Sequence, residues 1–321
     1  MYCIQSASTI SHQPSFASKG FSSNLSKEIE SLIKPDYKEY VPPALIRRMS
    51  EILRMSVACS NLALKEAGIE QPDAIITGTG LGCLYDTEKF LNNVITIEGG
   101  LLPPTSFIQS THNTIAGQIS LVLGNHQYNM THTQNSLSFE HALLDTMLML
   151  DEKNGNILIG SADEDIEALH PIAAHFKLNS LPLTSGASFF VLSKNKNEKT
   201  LAVIEACHTS AFYSSLENEI KDFMSTSTDK QIDFILNDGR NKDITRLIET
   251  LFPDKCVINY SEICGLYATN SAFAMHLATD IICNKTKQVY GKTIANHKRA
   301  LIINTLLPAR AGFIMIKSNE A

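Results

Sequence analysis

Ala74-Ile75-Ile76-Thr77-Gly78-Thr79-Gly80-Leu81-Gly82 is the stretch from which the fold can be read. Its first four residues form a short apolar, β-branched run of the kind that fills a buried strand, and the run stops at a glycine-rich turn. Apolar residues at helical spacing resume over 86–95, so the unit is strand, tight turn and helix. Glycine loops after strands can cradle phosphate, because their N–H groups approach the anion closely. The spacing here is Gly-x-Gly-x-Gly, without the sixth-position glycine of a dinucleotide fingerprint or the Gly-Lys-Ser/Thr of a phosphate loop. The turn therefore reads as packing geometry, with no bound cofactor.

Upstream, Leu45, Met49, Ile52, Leu53, Val57, Leu62 and Leu64 recur at helical spacing and predict one long helix over 44–67, stopped by Gly68. Residues 1–43 read as an N-terminal arm, irregular from 11 to 39 apart from a short helix at 27–33, and closed by Pro42-Pro43. Downstream, helices are expected at 114–123, 139–150, 242–251 and 271–283. Strands are expected at 156–160, 188–192, 201–206, 232–236, 256–259, 300–304 and 312–316. Strand, glycine turn and helix occur at 74–90 and again at 234–251, each followed by a small-residue helix, 116–123 and 272–282. This is an α/β pattern with a twofold internal duplication, in halves of about 44–195 and 196–321 within one unit of 44–321.

Of the 321 residues, 44% are hydrophobic and 19% charged, which supports a sizeable core and a wet surface and excludes disorder. A net charge of −6 argues against nucleic acid, since phosphate-backbone binding needs clustered Lys and Arg. The seven cysteines show no CxxC and no regular spacing, so neither a disulfide framework nor a zinc site is expected. No signal-like leader and no apolar run long enough to span a bilayer are read, and the chain is expected in the cytoplasm.

Other constellations are weak. His112, His126, His132 and His141 fall close together, but no pair has i,i+4 spacing, so they read as surface or capping residues without a metal. Asp163-Glu164-Asp165 reads as a solvated acidic turn. Cys83 follows the glycine turn without a neighbouring His and is not expected to be a nucleophile.

Taken in order, several stretches resemble the β-ketoacyl synthase family of the thiolase fold. Arg47-Arg48-Met49 with Leu64-Lys65-Glu66-Ala67-Gly68 looks like its early block, and Gly78 to Gly82 with Glu88 and Phe90 like its glycine turn and following helix. Pro104, Phe107, Ser110, Asn113, Ala116 and Gly117 match the segment that precedes the family nucleophile. Ile159-Gly160-Ser161-Ala162-Asp163-Glu164 resembles the strand and turn beyond it. The resemblance covers about 44–313 and implies a thiolase-like fold, two pseudo-duplicated halves in an α-β-α-β-α layered arrangement.

Carried over residue by residue, the family's nucleophilic Cys falls on Ser136, or on Gln134 if a two-residue gap is allowed; neither is a Cys. The first catalytic His falls on Asp238. The second falls on Leu266, and the family Lys on Ser261. Decarboxylative condensation needs a thiolate to carry the acyl chain and imidazoles to stabilise the developing oxyanion, and these positions supply neither. The resemblance therefore implies a non-catalytic, chain-length-factor-type subunit with no cofactor of its own. Its partners would be a ketosynthase subunit, or a second copy of itself, and acyl carrier protein, whose phosphopantetheine holds the substrate. Stretches 138–145 and 265–274 are most similar to shortened synthase-like proteins of bacterial aryl-polyene or flexirubin pigment pathways. Two alternatives stay open: a free-standing acyltransferase or hydrolase using Ser136, with His132 or His141 as base, and a homodimeric scaffold. In either dimer the strand at 128–133 is expected at the twofold seam.

Overall fold

The computed structural model describes residues 1–97, 100, 102–175, 181–226 and 231–320. In chain order the strands are β1 Tyr2–Ile10, β2 Ala74–Gly78, β3 Tyr128–His132, β4 Asn156–Asp163, β5 Gly186–Ser193, β6 Ala202–Ala211, β7 Phe234–Asn237 and β8 Cys256–Asn259. A hairpin of β9 Gln288–Val289 and β10 Lys292–Thr293 follows, then β11 Arg299–Asn304 and β12 Arg310–Ser318. The helices are α1 Pro43–Ile46, α2 Glu51–Ala67, α3 Leu84–Thr96, α4 Pro104–Gln109, α5 Thr114–Leu123, α6 Ser138–Glu152, α7 Leu169–His175, α8 Leu216–Ser225, α9 Lys242–Leu251, α10 Ser261–Cys264 and α11 Ser271–Asn284.

Ten strands run in the order β3-β2-β4-β5-β1-β6-β12-β11-β7-β8. Read outward from the β1–β6 junction, the two sides are copies of each other. β2 is parallel to β3 and β4, as β7 is parallel to β8 and β11; β5 is antiparallel to β4 and β1, as β12 is antiparallel to β11 and β6. The strands at 74–78 and 234–237 thus hold corresponding places. The halves meet where Tyr2, Cys3 and Ile4 pair with Ile204, Val203 and Ala202.

Alternation along the strands assigns the layers. Ile76, Ile159, Phe190, Leu236, Ile302 and Ile314 face one buried cluster, into which α6 and α11 insert Phe139, Leu143, Phe273 and Leu277. The alternate residues Ile75, Leu158 and Val191 face α2 and α5 on one outer side; Ile235, Leu301 and Phe313 face α8 and α9 on the other. The result is a five-layer α-β-α-β-α thiolase-like fold. Helix α11 is a central-layer element: twelve of its fourteen residues are buried. Its counterpart is α6, which follows β3 as α11 follows β8. It does not match α5, as the order of small-residue helices had led us to expect; α5 corresponds to α9.

Three local expectations are corrected. Residues 2–10 of the supposed arm are β1, wholly buried and paired to both β5 and β6. Three of its polar residues are tolerated because they find partners: Ser6 Oγ donates to the Ala63 carbonyl (2.6 Å), Thr9 to Ser188 (2.8 Å) and Gln5 to Ser193 (2.8 Å). Residues 27–33 form no helix. The helix expected over 44–67 breaks at 47–50, where Ser50 turns extended (φ −65°, ψ 169°) and Met49 enters the outer core at 4% exposure.

Candidate functional site

The turn between β3 and α6 is where a strand delivers the chain to the N-terminus of a central helix. Asn135 sits there at φ +54°, a left-handed conformation that Asn tolerates better than most side chains. Asn135 and Gln134 are exposed, whereas Ser136 is buried to 1%, and its Oγ finds no hydrogen-bond partner among the described residues. Ser138 Oγ closes the turn by donating to the Asn135 carbonyl (2.7 Å) and to the Thr79 carbonyl (2.9 Å) of the glycine turn. That contact explains Gly78, since a Cβ there would lie 2.5 Å from the Ser138 carbonyl oxygen. The glycine turn serves close packing against α6, as its spacing implied.

Across the junction, Asp238 ends β7 fully buried. One carboxylate oxygen accepts from the Thr305 N–H (2.8 Å) and hydroxyl (2.6 Å), the other from the Arg240 N–H (3.0 Å). Leu266 is 6% exposed and pinned by its backbone, donating to the Pro182 carbonyl and accepting from the Thr184 N–H. Gly265, at φ +80°, lets Thr184 approach to where a Cβ would be 2.2 Å away. Ser261 opens α10 fully buried and accepts from Asn270 Nδ2 (2.9 Å). The structure thus brings Ser136, Asp238, Ser261 and Leu266 to the ends of β3, β7 and β8 and the loop before α11, each engaged as described; Gln134 stays at the surface.

Beneath them lies a polar cluster that sequence reasoning missed. Glu140, in the first turn of α6, is fully buried, and burial pushes its carboxyl up from 4.5 to about 7. Asn304 Nδ2 donates both to Glu140 Oε1 (2.8 Å) and to the Ser136 carbonyl (2.7 Å), joining the end of β11 to the β3–α6 turn. Tyr260 is also buried, and burial together with Asp238 and Glu140 raises its phenol well above the ordinary range. Glu140 Oε2, Tyr260 OH and Ser271 Oγ have no hydrogen-bond partner among the described residues. Nothing in the sequence pattern marks this cluster. The one available signal was a Glu in the first turn of the helix that follows β3.

The acidic turn is corrected as well. Asp163 and Glu164 are 2% and 6% exposed. Asp163 Oδ1 accepts from Thr79 Oγ1, Gly80 N and Leu81 N, and Oδ2 from Thr269 N and Oγ1, so one carboxylate ties the glycine turn of the first half to the loop before α11 in the second. Burial raises Asp163 and lifts Glu164 to about 7. Cys83 is buried, and desolvation with three nearby carboxylates raises its thiol, the opposite of what a nucleophile needs. Among the described residues no group of three or more His, Cys, Asp or Glu could hold a metal. No helix there is long and apolar enough to cross a membrane.

Above this cluster opens a cavity of about 200 Å³, lined by Leu81, Leu169, Ile172, Leu183, Leu266 and Leu306 among others, with Arg240 at its wall. Beyond it, β3 forms an edge of the sheet, paired among the described residues only with β2. Tyr128 and Met130 are each 39% exposed along it, and Leu121 and Leu148 project from the flanking helices α5 and α6 at 77% and 66%.

No curated protein sequence is significantly similar to the chain. Solved structures are. A type II polyketide synthase ketosynthase, solved with its acyl carrier protein, superposes with a TM-score of 0.77 at 14% identity over 99% of both chains. The ishigamide ketosynthase/chain length factor gives 0.75 at 13%, again over 99% of both. The ketosynthase in complex with its chain length factor from Xenorhabdus doucetiae gives 0.52 at 18%, over 65% of this chain and 83% of that one. At such identities the likeness speaks for the fold. The family described as beta-ketoacyl synthase, N-terminal domain, matches residues 24–245, well over half of the sequence, and the chain belongs to the β-ketoacyl synthase family.

Proposed function

We propose that this chain is a non-catalytic, chain-length-factor-type subunit that pairs with an active ketosynthase and shapes the path of a chain carried by acyl carrier protein. The observation that carries this reading is the state of the inherited catalytic positions. No thiol stands at the β3–α6 turn, Asp238 is consumed by three donors, and Leu266 has no side-chain hydrogen to donate. An anionic Asp would repel a developing oxyanion, and Leu would leave it unsolvated, so two of the groups condensation depends on are replaced by groups that oppose it or contribute nothing.

The exposed edge of β3 supports the pairing half of the reading, because unpaired N–H and C=O groups beside Tyr128, Met130, Leu121 and Leu148 are a liability without a partner. The resemblance of 138–145 and 265–274 supports aryl-polyene or related pigment biosynthesis as the pathway. The sealed Ser136 Oγ weighs against an acyltransferase or hydrolase, since a substrate carbonyl has no access to it. Neither His132, which pairs with Asp145 at 2.9 Å, nor His141 hydrogen-bonds to Ser136 Oγ.

The test is reconstitution. Malonyl- and acyl-carrier substrates are incubated with the chain alone, with a ketosynthase from the same pathway alone, and with both. Elongation only when a ketosynthase is present, with product length altered by the chain, is expected. Turnover by the chain alone, or an ester on Ser136 by intact mass, sinks the reading; a self-associated chain that never engages a ketosynthase points to the scaffold instead.

A further inference from the structure

We infer that the cavity beside Leu266 binds a small apolar carboxylate, a free acid with a ring or short chain of about six carbons, through the Arg240 guanidinium. This goes beyond the subunit role proposed above and does not depend on it.

The argument starts with size and lining. The cavity holds about 200 Å³ and is walled mainly by Leu81, Leu169, Ile172, Leu183, Leu266 and Leu306. An apolar cavity of about 150 Å³ suffices for benzene, so there is room for a ring of that size and one polar head group. Leu266 decides the character of the floor: a hydrogen-bonding side chain there would favour a polar occupant, and Leu favours an apolar one.

The head group is set by charge. Arg240 is fixed from two sides, its N–H donating to Asp238 Oδ1 (3.0 Å) and its guanidinium to the Leu306 carbonyl (2.5 Å). Among the described residues no carboxylate forms an ion pair with it, although a guanidinium carries five donors in a fork that matches a carboxylate. The acids that also line the cavity are already engaged. Asp163 accepts five hydrogen bonds, Asp165 is paired with His170 at 2.9 Å, and Glu164 accepts from the Tyr85 N–H while burial favours its neutral form. A cationic ligand would find no free carboxylate, whereas an anionic one finds the guanidinium.

Isothermal titration of the full chain, alone or in whatever complex it purifies with, compares sodium benzoate with benzyl alcohol at neutral pH. Benzoate is expected to bind about tenfold more tightly or better, the usual worth of one charge-assisted hydrogen bond. Arg240→Gln should erase the preference and Arg240→Lys retain part of it, while Ala173→Phe, which fills the cavity from α7, should abolish binding of both. Far-UV circular dichroism and thermal unfolding check that each variant is folded. Should Arg240→Gln not fold, the wild-type comparison and Ala173→Phe still decide. No heat from benzoate, equal affinity for the two probes, or benzoate binding that survives Ala173→Phe overturns the inference.

Discussion

Glu140→Gln offers a quantitative probe of the buried cluster. In the folded chain this carboxyl is fully buried and pushed up from 4.5 to about 7, chiefly by desolvation and only partly opposed by its hydrogen bond from Asn304. A folded-state value above the unfolded one means that the native state holds the proton more tightly. The contribution to stability is therefore complete below the unfolded value, near 4.5, and is lost as pH rises through about 7. At about 1.4 kcal/mol per unit the span corresponds to roughly 3 kcal/mol, or about 6 °C in melting temperature for a chain of this size. Glutamine keeps an oxygen to accept from Asn304 but does not titrate. Its own penalty, an amide N–H₂ where Oε2 had no partner, is independent of pH. Melting temperatures of the two proteins, followed by circular dichroism from about pH 5 to about pH 8.5, should therefore diverge, the variant gaining on the wild type as pH rises. Glu164 and Asp163 titrate in both proteins and cancel in the difference. Parallel curves across the range would refute the reasoning, because they would mean that Glu140 is hydrated or paired in a way this packing does not allow.

Other outcomes can be checked with simpler measurements. Asn135→Gly should be neutral or stabilising by about 0.5 kcal/mol in denaturant titration, and Asn135→Val destabilising by about 1–2 kcal/mol, because only the first relieves the left-handed backbone. Asp163→Asn should cost about 3 kcal/mol or more, since an amide N–H₂ would face the N–H and hydroxyl donors of Thr269 or the three donors of residues 79–81. Met130→Asp should abolish co-purification with a ketosynthase and leave the chain aggregated, as a charge at a closed seam costs several kcal/mol; a stable wild-type monomer by light scattering would count against it. Ser136→Cys should restore no condensing activity with malonyl-carrier substrate, because Asp238 and Leu266 remain.

The period-based parts of the fold were legible. Strand β2, its glycine turn, the alternation of strands and helices through the second half and the small-residue character of α11 all follow from local spacing. What escaped notice did so for identifiable reasons. β1 mixes Gln5, Ser6 and Thr9 with its apolar residues, and the partners that make them tolerable lie at Ser193, Ala63 and Ser188, far along the chain. The turn 163–165 looked solvated because an acidic run usually is; the donors that bury Asp163 come from residues 79–81 and 269. The strained residue of the β3–α6 turn was not legible, since φ at Asn135 is set by how β3 meets α6 and leaves no mark on its neighbours.

The site also shows how the two halves are tied together. The duplicated topology alone brings the N-termini of α6 and α11 together at the ends of β3 and β8, whatever side chains stand there. In a catalyst those positions must stay unsatisfied so that a substrate can satisfy them. Here several have turned on each other: Asn304 of the second half holds Glu140 and the Ser136 carbonyl of the first, and Asp163 of the first holds Thr269 of the second. Each of these bonds crosses between the halves, so these residues work as a joint. A joint needs only hydrogen-bond geometry and burial, which many residue combinations meet, and this is how sequence identity can fall to 12–18% while the layers still superpose. On the proposed non-catalytic reading, installing a thiol and two imidazoles would also require undoing the joint. Chemistry and interdomain stability are coupled at the same few residues, and a variant that recovers one should be expected to lose part of the other.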